Sequence, residues 1–515
     1  MSTASAGGKV PNAGFITVSI MAAALMQTLD TTIANVALPH IQGSVSASQD
    51  QITWVLTFYI VAAAIMTPLT GWLSDRLGRK TVFLFSVAGF TLASALCGAA
   101  QSLSQIVAFR FIQGVAGAAL IPLAQATLLD INPPERYGQA MATFASAVVL
   151  GPILGPTLGG WLTENYSWRW CFFINIPVGA VAFLGTWFFM PGKGHIKPPK
   201  FDLFGFFTLS LCVVCLQLML DRGQTNDWFG APETWIELVM AGVGGYLFII
   251  HTLTAKAPLF SRELFADSNF RTTLIASIFI MGSMYASMAL VPVLIQNFYG
   301  YPVFHAGVIM MARGIGGFIS MVAAGRLVAK FDARFLMGIG IGLIGASFYM
   351  MSRFAPEMDS GPLIWSGFVQ GLAMGLFFVP LSTLGFATLP PHLRTQGATI
   401  SNLIRNVGGS VGISILQVIL VNNMQVARAG MAQHIRPDNP AMAPFMSPGG
   451  GMPGARAMAT INGMIARQAA MISYIDDFWL MTIVMVCLLP ILFLMRAPKM
   501  GGAGAGRGSP PPAME

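Results

Sequence analysis

An aspartate at position 30 interrupts an apolar run, Leu25-Met26-Gln27-Thr28-Leu29-Asp30-Thr31-Thr32, where a carboxylate has no ordinary place. An ionised Asp at mid-bilayer costs about 2.5–3.5 kcal/mol, so this side chain must titrate or find a counter-charge. Arg110 and Gln113 interrupt a second such run. Counted from the outer ends of their helices, Asp30 lies about nine residues deep and Arg110 about six, a depth difference of about 5 Å. The two are expected to form, or compete for, one ion pair, with Asp30 binding a proton or cation. The plainer alternatives are a structural carboxylate and an arginine that snorkels to the interface. No other carboxylate is read well inside a span. Gln27, Tyr59, Gln113, Gln125, Gln296 and Asn297 are further polar residues in apolar runs, and with Asp30 they are the candidate ligand contacts. Abundant Met and Phe would suit a tolerant apolar cavity, although packing explains any single one of these positions as well.

The elements that hold these residues are membrane helices. Of 515 residues, 55% are hydrophobic and 9% charged, against about 25% charged in soluble domains. Fourteen apolar spans are read, among them 15–39, 51–73, 105–128, 138–162, 395–421 and 474–495. The first follows a polar tail and is a retained span rather than a signal peptide. With both termini in the cytoplasm, every Lys and half of the Arg fall in cytoplasmic connections. That positive-inside bias explains the net charge of +8 without any nucleic acid. The six His lie singly, and Cys212 and Cys215 put small side chains on one helix face, so neither an enzyme nor a metal site is expected.

Two further patterns carry mechanics. In Gly71-x-Leu73-x-Asp75-Arg76-x-Gly78-Arg79-Lys80, Gly71 permits close helix approach and Gly78 a tight turn. Asp75 is expected to pair with the neighbouring cations or cap a helix, giving a charge cluster that can latch one face; a plain basic anchor is the alternative. In Gly151-Pro152-x-x-Gly155-Pro156-x-x-Gly159-Gly160, glycines four apart make a flat helix stripe and the prolines bend it. Gly325 to Arg334 echoes the 71–80 loop, and Gln370-Gly371 with Pro380 echoes Gln113-Gly114 with Pro122. Both echoes are eight spans apart, as expected for two six-helix bundles separated by two extra helices. Gly367 stands where Arg110 would recur.

The 71–80 loop closely resembles the signature of the major facilitator superfamily. The glycine-proline pattern of span five resembles that superfamily's antiporter motif, and Arg110 with Gln113-Gly114 resembles its proton-transfer motif. The first span, through Ile33-Ala34-Asn35-Val36-Ala37-Leu38-Pro39, is similar to the signature of fourteen-helix drug:proton antiporters. Trp168-Arg169-Trp170, Phe172 to Pro177, Leu220 to Gln224 and Arg405-Asn406-x-Gly408-Gly409-Ser410-x-Gly412 extend the resemblance to EmrB-type exporters over nearly the whole chain. The resemblance implies an all-α major facilitator fold of 6 + 2 + 6 helices. Its parts would be a tail (1–14), a first bundle (15–190), a linker with two spans (191–270), and a second bundle (271–500) with a periplasmic loop (423–473). A Gly/Pro-rich tail (501–515) closes the chain. It further implies a proton-coupled multidrug antiporter of the inner membrane, without cofactors, that works with a periplasmic adaptor and an outer-membrane channel. Export of one specific metabolite, or uptake by symport, is the alternative. Some relatives that export organic dications carry a second acid in span thirteen, where this chain has Arg405 and Asn406.

Overall fold

The computed structural model describes residues 12–52, 54–133, 136–192, 201–223, 228–435 and 454–495. The basic residues Lys193, Lys197 and Lys200, the tail 501–515 and the middle of the loop at 436–453 lie outside them. The N-terminal half contains α1 (Ala13–Val45), α2 (Trp54–Met66), α3 (Leu69–Leu77), α4 (Arg79–Ala99), α5 (Leu103–Gly117), α6 (Leu120–Ile131), α7 (Tyr137–Asn165) and α8 (Asn175–Phe189). Next come α9 (Leu203–Arg222) and α10 (Pro232–Thr254). The C-terminal half contains α11 (Ser268–Val293), α12 (Val303–Leu327), α13 (Ala333–Met351), α14 (Ser360–Ala387), α15 (Arg394–Ala432) and α16 (Ala455–Leu488). Among the described residues, thirteen helices are long and apolar enough to cross a membrane, and fourteen when α2 and α3, bent by 56°, count as one span. The bend falls at Pro68, whose ring removes a backbone donor. This is a multi-span membrane protein.

Helix α9 packs on α2 in one half and α15 in the other, and α10 packs mainly on α9. A side chain at Gly244 of α10 would collide with the backbone at Cys212, so the small residues there serve close helix packing. Outer positions such as Phe85, Phe188, Trp235 and Tyr246 are exposed, as a lipid-facing surface requires.

The halves meet along α7 and α12, where Gly138 faces Val328, Gly325 faces Ala142 and Gly314 faces Ile153. On the face that carries residues 71–80 they share one apolar core, including Leu128, Leu129, Phe270, Phe386 and Leu403. Toward the opposite face the cores separate, one in each half. The polar ties between the halves are on the closed face. Asp130 accepts from Arg79 at 2.6 Å and from Arg394 at 3.4 Å, and Arg79 also reaches Thr395 at 2.9 Å. Asn402 donates to Gln125 at 3.4 Å.

The helices that carry the spans read at 395–421 and 474–495 run past those spans. The hydrogen-bonded ladder of α15 continues to Ala432 and α16 starts at Ala455, so most of the described part of 423–473 is a helical extension of the spans. Arg428 ties the two extensions together by donating to Asn462 at 2.9 Å. Ile461 is buried while Met458 and Ile472 are exposed. Asp477, near the start of the span read at 474–495, is fully buried with both carboxylate oxygens unpartnered.

Hydrogen bonds to charged groups contribute about 1.5–3 kcal/mol each. Asp130→Asn is therefore expected to shift the conformational equilibrium roughly tenfold toward opening of the 71–80 face. Spin-label distances between positions 80 and 396 should lengthen, and an unchanged distribution would show that Asp130 is no latch.

Candidate functional site

Asp30 sits in the middle of α1 and is 1% exposed; Arg110 in α5 is fully buried. The arginine donates from Nη1 to Asp30 Oδ2 at 2.6 Å, and from Nε to the Val55 carbonyl at 3.1 Å. Nη1 also meets Gln113 Oε1 at 2.8 Å, while Gln113 Nε2 donates to Asp30 Oδ1 at 2.9 Å. Asn175 at the start of α8 donates to the same oxygen at 2.8 Å, and to Ser94 Oγ at 2.9 Å. Ser94 in turn donates to the Phe172 carbonyl at 2.9 Å. The Tyr59 ring lies under the guanidinium, 4.3 Å from centroid to Cζ. Both charges are thus removed from lipid and their hydrogen-bonding capacity is largely used, which is the condition for a buried ion pair to persist.

The glycine stripe explains how Asp30 is held. Gly151 and Gly155 of α7 lie against Thr28 and Thr32 of α1, and any side chain at either position would overlap them. Thr32 Oγ1 donates to the Gly151 carbonyl at 3.2 Å, and Gly159 lies against Ile33. The stripe therefore seats the turns of α1 on either side of Asp30. Gly160 meets nothing within 4 Å, Pro152 is half-buried, and the side chain of Pro156 is outside what is described.

The other residues singled out from the sequence are spread more widely. Gln27 and Tyr59 are buried next to each other beside the ion pair. Gln125 lies at the closed face in contact with Asn402. Gln296 is half-buried and Asn297 exposed in the π-helical turn Leu294–Phe298 at the opposite end of α11. In the 71–80 loop, Gly78 has φ 85°, so its glycine is required by the turn. A methyl at Gly71 would meet Gln396 at an ordinary 3.5 Å. Arg79 takes Asp130 rather than Asp75 as its ion-pair partner, because α6 ends beside it. Arg76 lies over Trp72, and Lys80 donates to the Trp187 carbonyl at 2.7 Å. Asn175 and Ser94 were not distinguished as site residues from the sequence. An Asn opening an apolar span was the available signal, but only the fold shows that it faces Asp30.

A membrane-embedded carboxylate–guanidinium pair inside one of two halves that close at one face fits a transporter architecture, and the chain belongs to the Major Facilitator Superfamily, whose family model matches residues 20–413. The chain is 35% identical over 495 residues to the multidrug export protein EmrB of Escherichia coli (strain K12), covering 95% of this chain and 97% of the relative. It is 34% identical to the fatty acid resistance protein FarB of Neisseria gonorrhoeae, with the same coverage. Among solved structures, the human organic anion transporter MFSD10 superposes with a TM-score of 0.61 at 15% identity over 92% of this chain and all of that one. The proton:xylose symporter XylE gives 0.56 at 14% identity, over 93% of this chain and 96% of that one. These two likenesses concern the fold.

Breaking a buried ion pair by removing one partner costs about 3–5 kcal/mol, because the other charge is left uncompensated. Arg110→Gln and Asp30→Asn are each expected to lower stability on that scale, while the double variant loses less than the sum. A thermal-unfolding double-mutant cycle measures the coupling, and additive losses would show that the pair contributes nothing as a pair.

Proposed function

We propose that the chain is a proton-coupled multidrug efflux antiporter of the inner membrane, with both termini in the cytoplasm. The carrying observation is the buried Asp30 bound by Arg110, Gln113 and Asn175. With Asp30 ionised, the pair is satisfied and the 71–80 face is closed. Protonation of Asp30 removes the charge that holds Arg110, and α1 then has reason to shift on the α7 stripe. Because α7 also forms the contact with α12, a displacement of α1 reaches the interface between the halves. Proton entry at Asp30 is thereby tied to exchange of the open face, and no cofactor is needed to drive it.

Similarity to EmrB and FarB supports hydrophobic or amphipathic toxic compounds as cargo. The same fold in a symporter does not determine direction; the relatives' export names and the α1–α7 stripe favour efflux. The lysine distribution supports a cytoplasmic 71–80 face, with the α15–α16 extension on the periplasmic side. A groove there, lined by Arg428, Ala432, Met458, Ile461 and Ile465, offers a surface for a periplasmic adaptor, and through it an outer-membrane channel.

Proteoliposomes with an imposed pH gradient test the reading directly. The parent chain should drive uphill efflux across a panel of lipophilic drugs, and Asp30→Asn should abolish it. Uphill transport retained by Asp30→Asn would remove Asp30 from coupling. Replacing 430–465 by a short linker should leave liposome efflux intact while abolishing resistance in cells with an intact outer membrane. Loss of efflux in liposomes would instead assign the hairpin to the transport cycle.

A further inference from the structure

The C-terminal half repeats the frame of the Asp30 site without its carboxylate and with an arginine in the place of Tyr59. Arg313 precedes Gly325 by the same number of residues as Tyr59 precedes Gly71. The packing confirms the match: a side chain at Gly114 would strike the Tyr59 carbonyl, and one at Gly371 would strike the Arg313 carbonyl. Gln370 then corresponds to Gln113, and Ser287 of α11 occupies the place of Asp30. Its Oγ lies 3.3 Å from Gln370 Nε2, as Asp30 Oδ1 lies 2.9 Å from Gln113 Nε2. The carboxylate is missing from this copy, whereas a guanidinium is present.

Arg313 is 8% exposed and Ser287 and Gln370 are fully buried. Nη2 of Arg313 donates to Ser287 at 3.3 Å, while Nε and Nη1 have no partner. Arg313 lies about 15 Å along α12 from its start, too deep to snorkel. Arginine does not shed its proton in proteins, so the buried charge calls for an anion. Among the described residues none pairs with it, and the acid of the other half is already bound to Arg110. Arg405 of α15 likewise bonds Asn402 rather than a carboxylate.

The geometry points to Arg313, Ser287 and Gln370 as the subsite for the carboxylate of a lipophilic acid, which supplies the counter-charge that the N-terminal half carries as Asp30. A planar guanidinium with free donors fits a carboxylate, and Ser287 and Gln370 provide further polar contacts. One helical turn toward the 71–80 face, Met284 of α11 and Ala373 of α14 are apolar and suit the tail. Arg313 adjoins Gly314, which packs on Ile153 of α7, so movement between the halves opens the subsite. This inference rests on the export reading for its cargo, but the site itself is tested by binding.

The probe is radiolabelled dodecanoate bound to the purified full chain in detergent, with dodecanol as the uncharged partition control and chloride as competitor. Saturable dodecanoate binding is expected, weakened at least about tenfold in Arg313→Gln and less in Arg313→Lys, with dodecanol unaffected. Ser287→Asp places a carboxylate where the N-terminal half has one. It should raise the thermal midpoint while abolishing dodecanoate binding, a combination that misfolding does not produce. Parent-like dodecanoate affinity in both Arg313→Gln and Ser287→Asp would overturn the assignment. Displacement by chloride alone, as effective as by dodecanoate, would mark an inorganic-anion site and overturn the substrate role. A chain that binds dodecanoate through Arg313 yet exports nothing would sink the export reading and leave this one standing.

Discussion

Placing a carboxylate in the middle of a membrane helix creates a demand that much of the N-terminal half is arranged to meet. Asp30 is stable there because Arg110 neutralises it and Gln113 and Asn175 take up its remaining acceptor capacity. Arg110 in turn needs the Val55 carbonyl and the face of Tyr59. Four helices therefore converge on one pair of charges. The close seating of α1 on the glycines of α7 follows from the same demand, since a looser α1 would leave the charges exposed to lipid or to one another at the wrong distance.

The shape of α7 links that site to the rest of the molecule. One side of the helix receives α1 at Gly151 and Gly155, and the other receives α12 at Ile153 and Ala142. Small residues on both helices keep the contact flat, which suits one half sliding or rocking on the other. The charged ties through Asp130 hold only one face, and the apolar cores are joined at that face and separate at the other. A structure closed at one end by a few polar contacts, over a continuous interface, is suited to two alternative arrangements.

The two halves have diverged where chemistry is concentrated and agree where packing is concentrated. Gly114 and Gly371 perform the same close crossing, as do the glutamines beside them. At the polar centre the N-terminal copy holds a balanced pair and the C-terminal copy an unbalanced cation. Backbone crossings constrain both copies alike, whereas side-chain charge is free to specialise once the fold is secured.

Much of this was legible in the sequence because lipid as a solvent imposes simple rules. Span length, the clustering of lysine on one side and the eight-span echo each follow from bilayer thickness or from gene-level repetition, and none needs a contact map. The depths of Asp30 and Arg110 were readable for the same reason, since helix rise is fixed. Azimuth was not: Asn175, Ser94 and the Arg79–Asp130 pair depend on how helices rotate and tilt against one another, which is decided by the sum of side-chain packing. Helix ends in water were also hidden. Hydropathy falls at residue 421 and rises again near 474, but the α15 and α16 ladders continue beyond the apolar stretch, where the backbone bonds itself whatever the solvent. The sequence by itself determined how many times the chain crosses and which charges lie deep. Only the tertiary structure decided which of those charges meet, because long-range partners are chosen by packing geometry that no local pattern records.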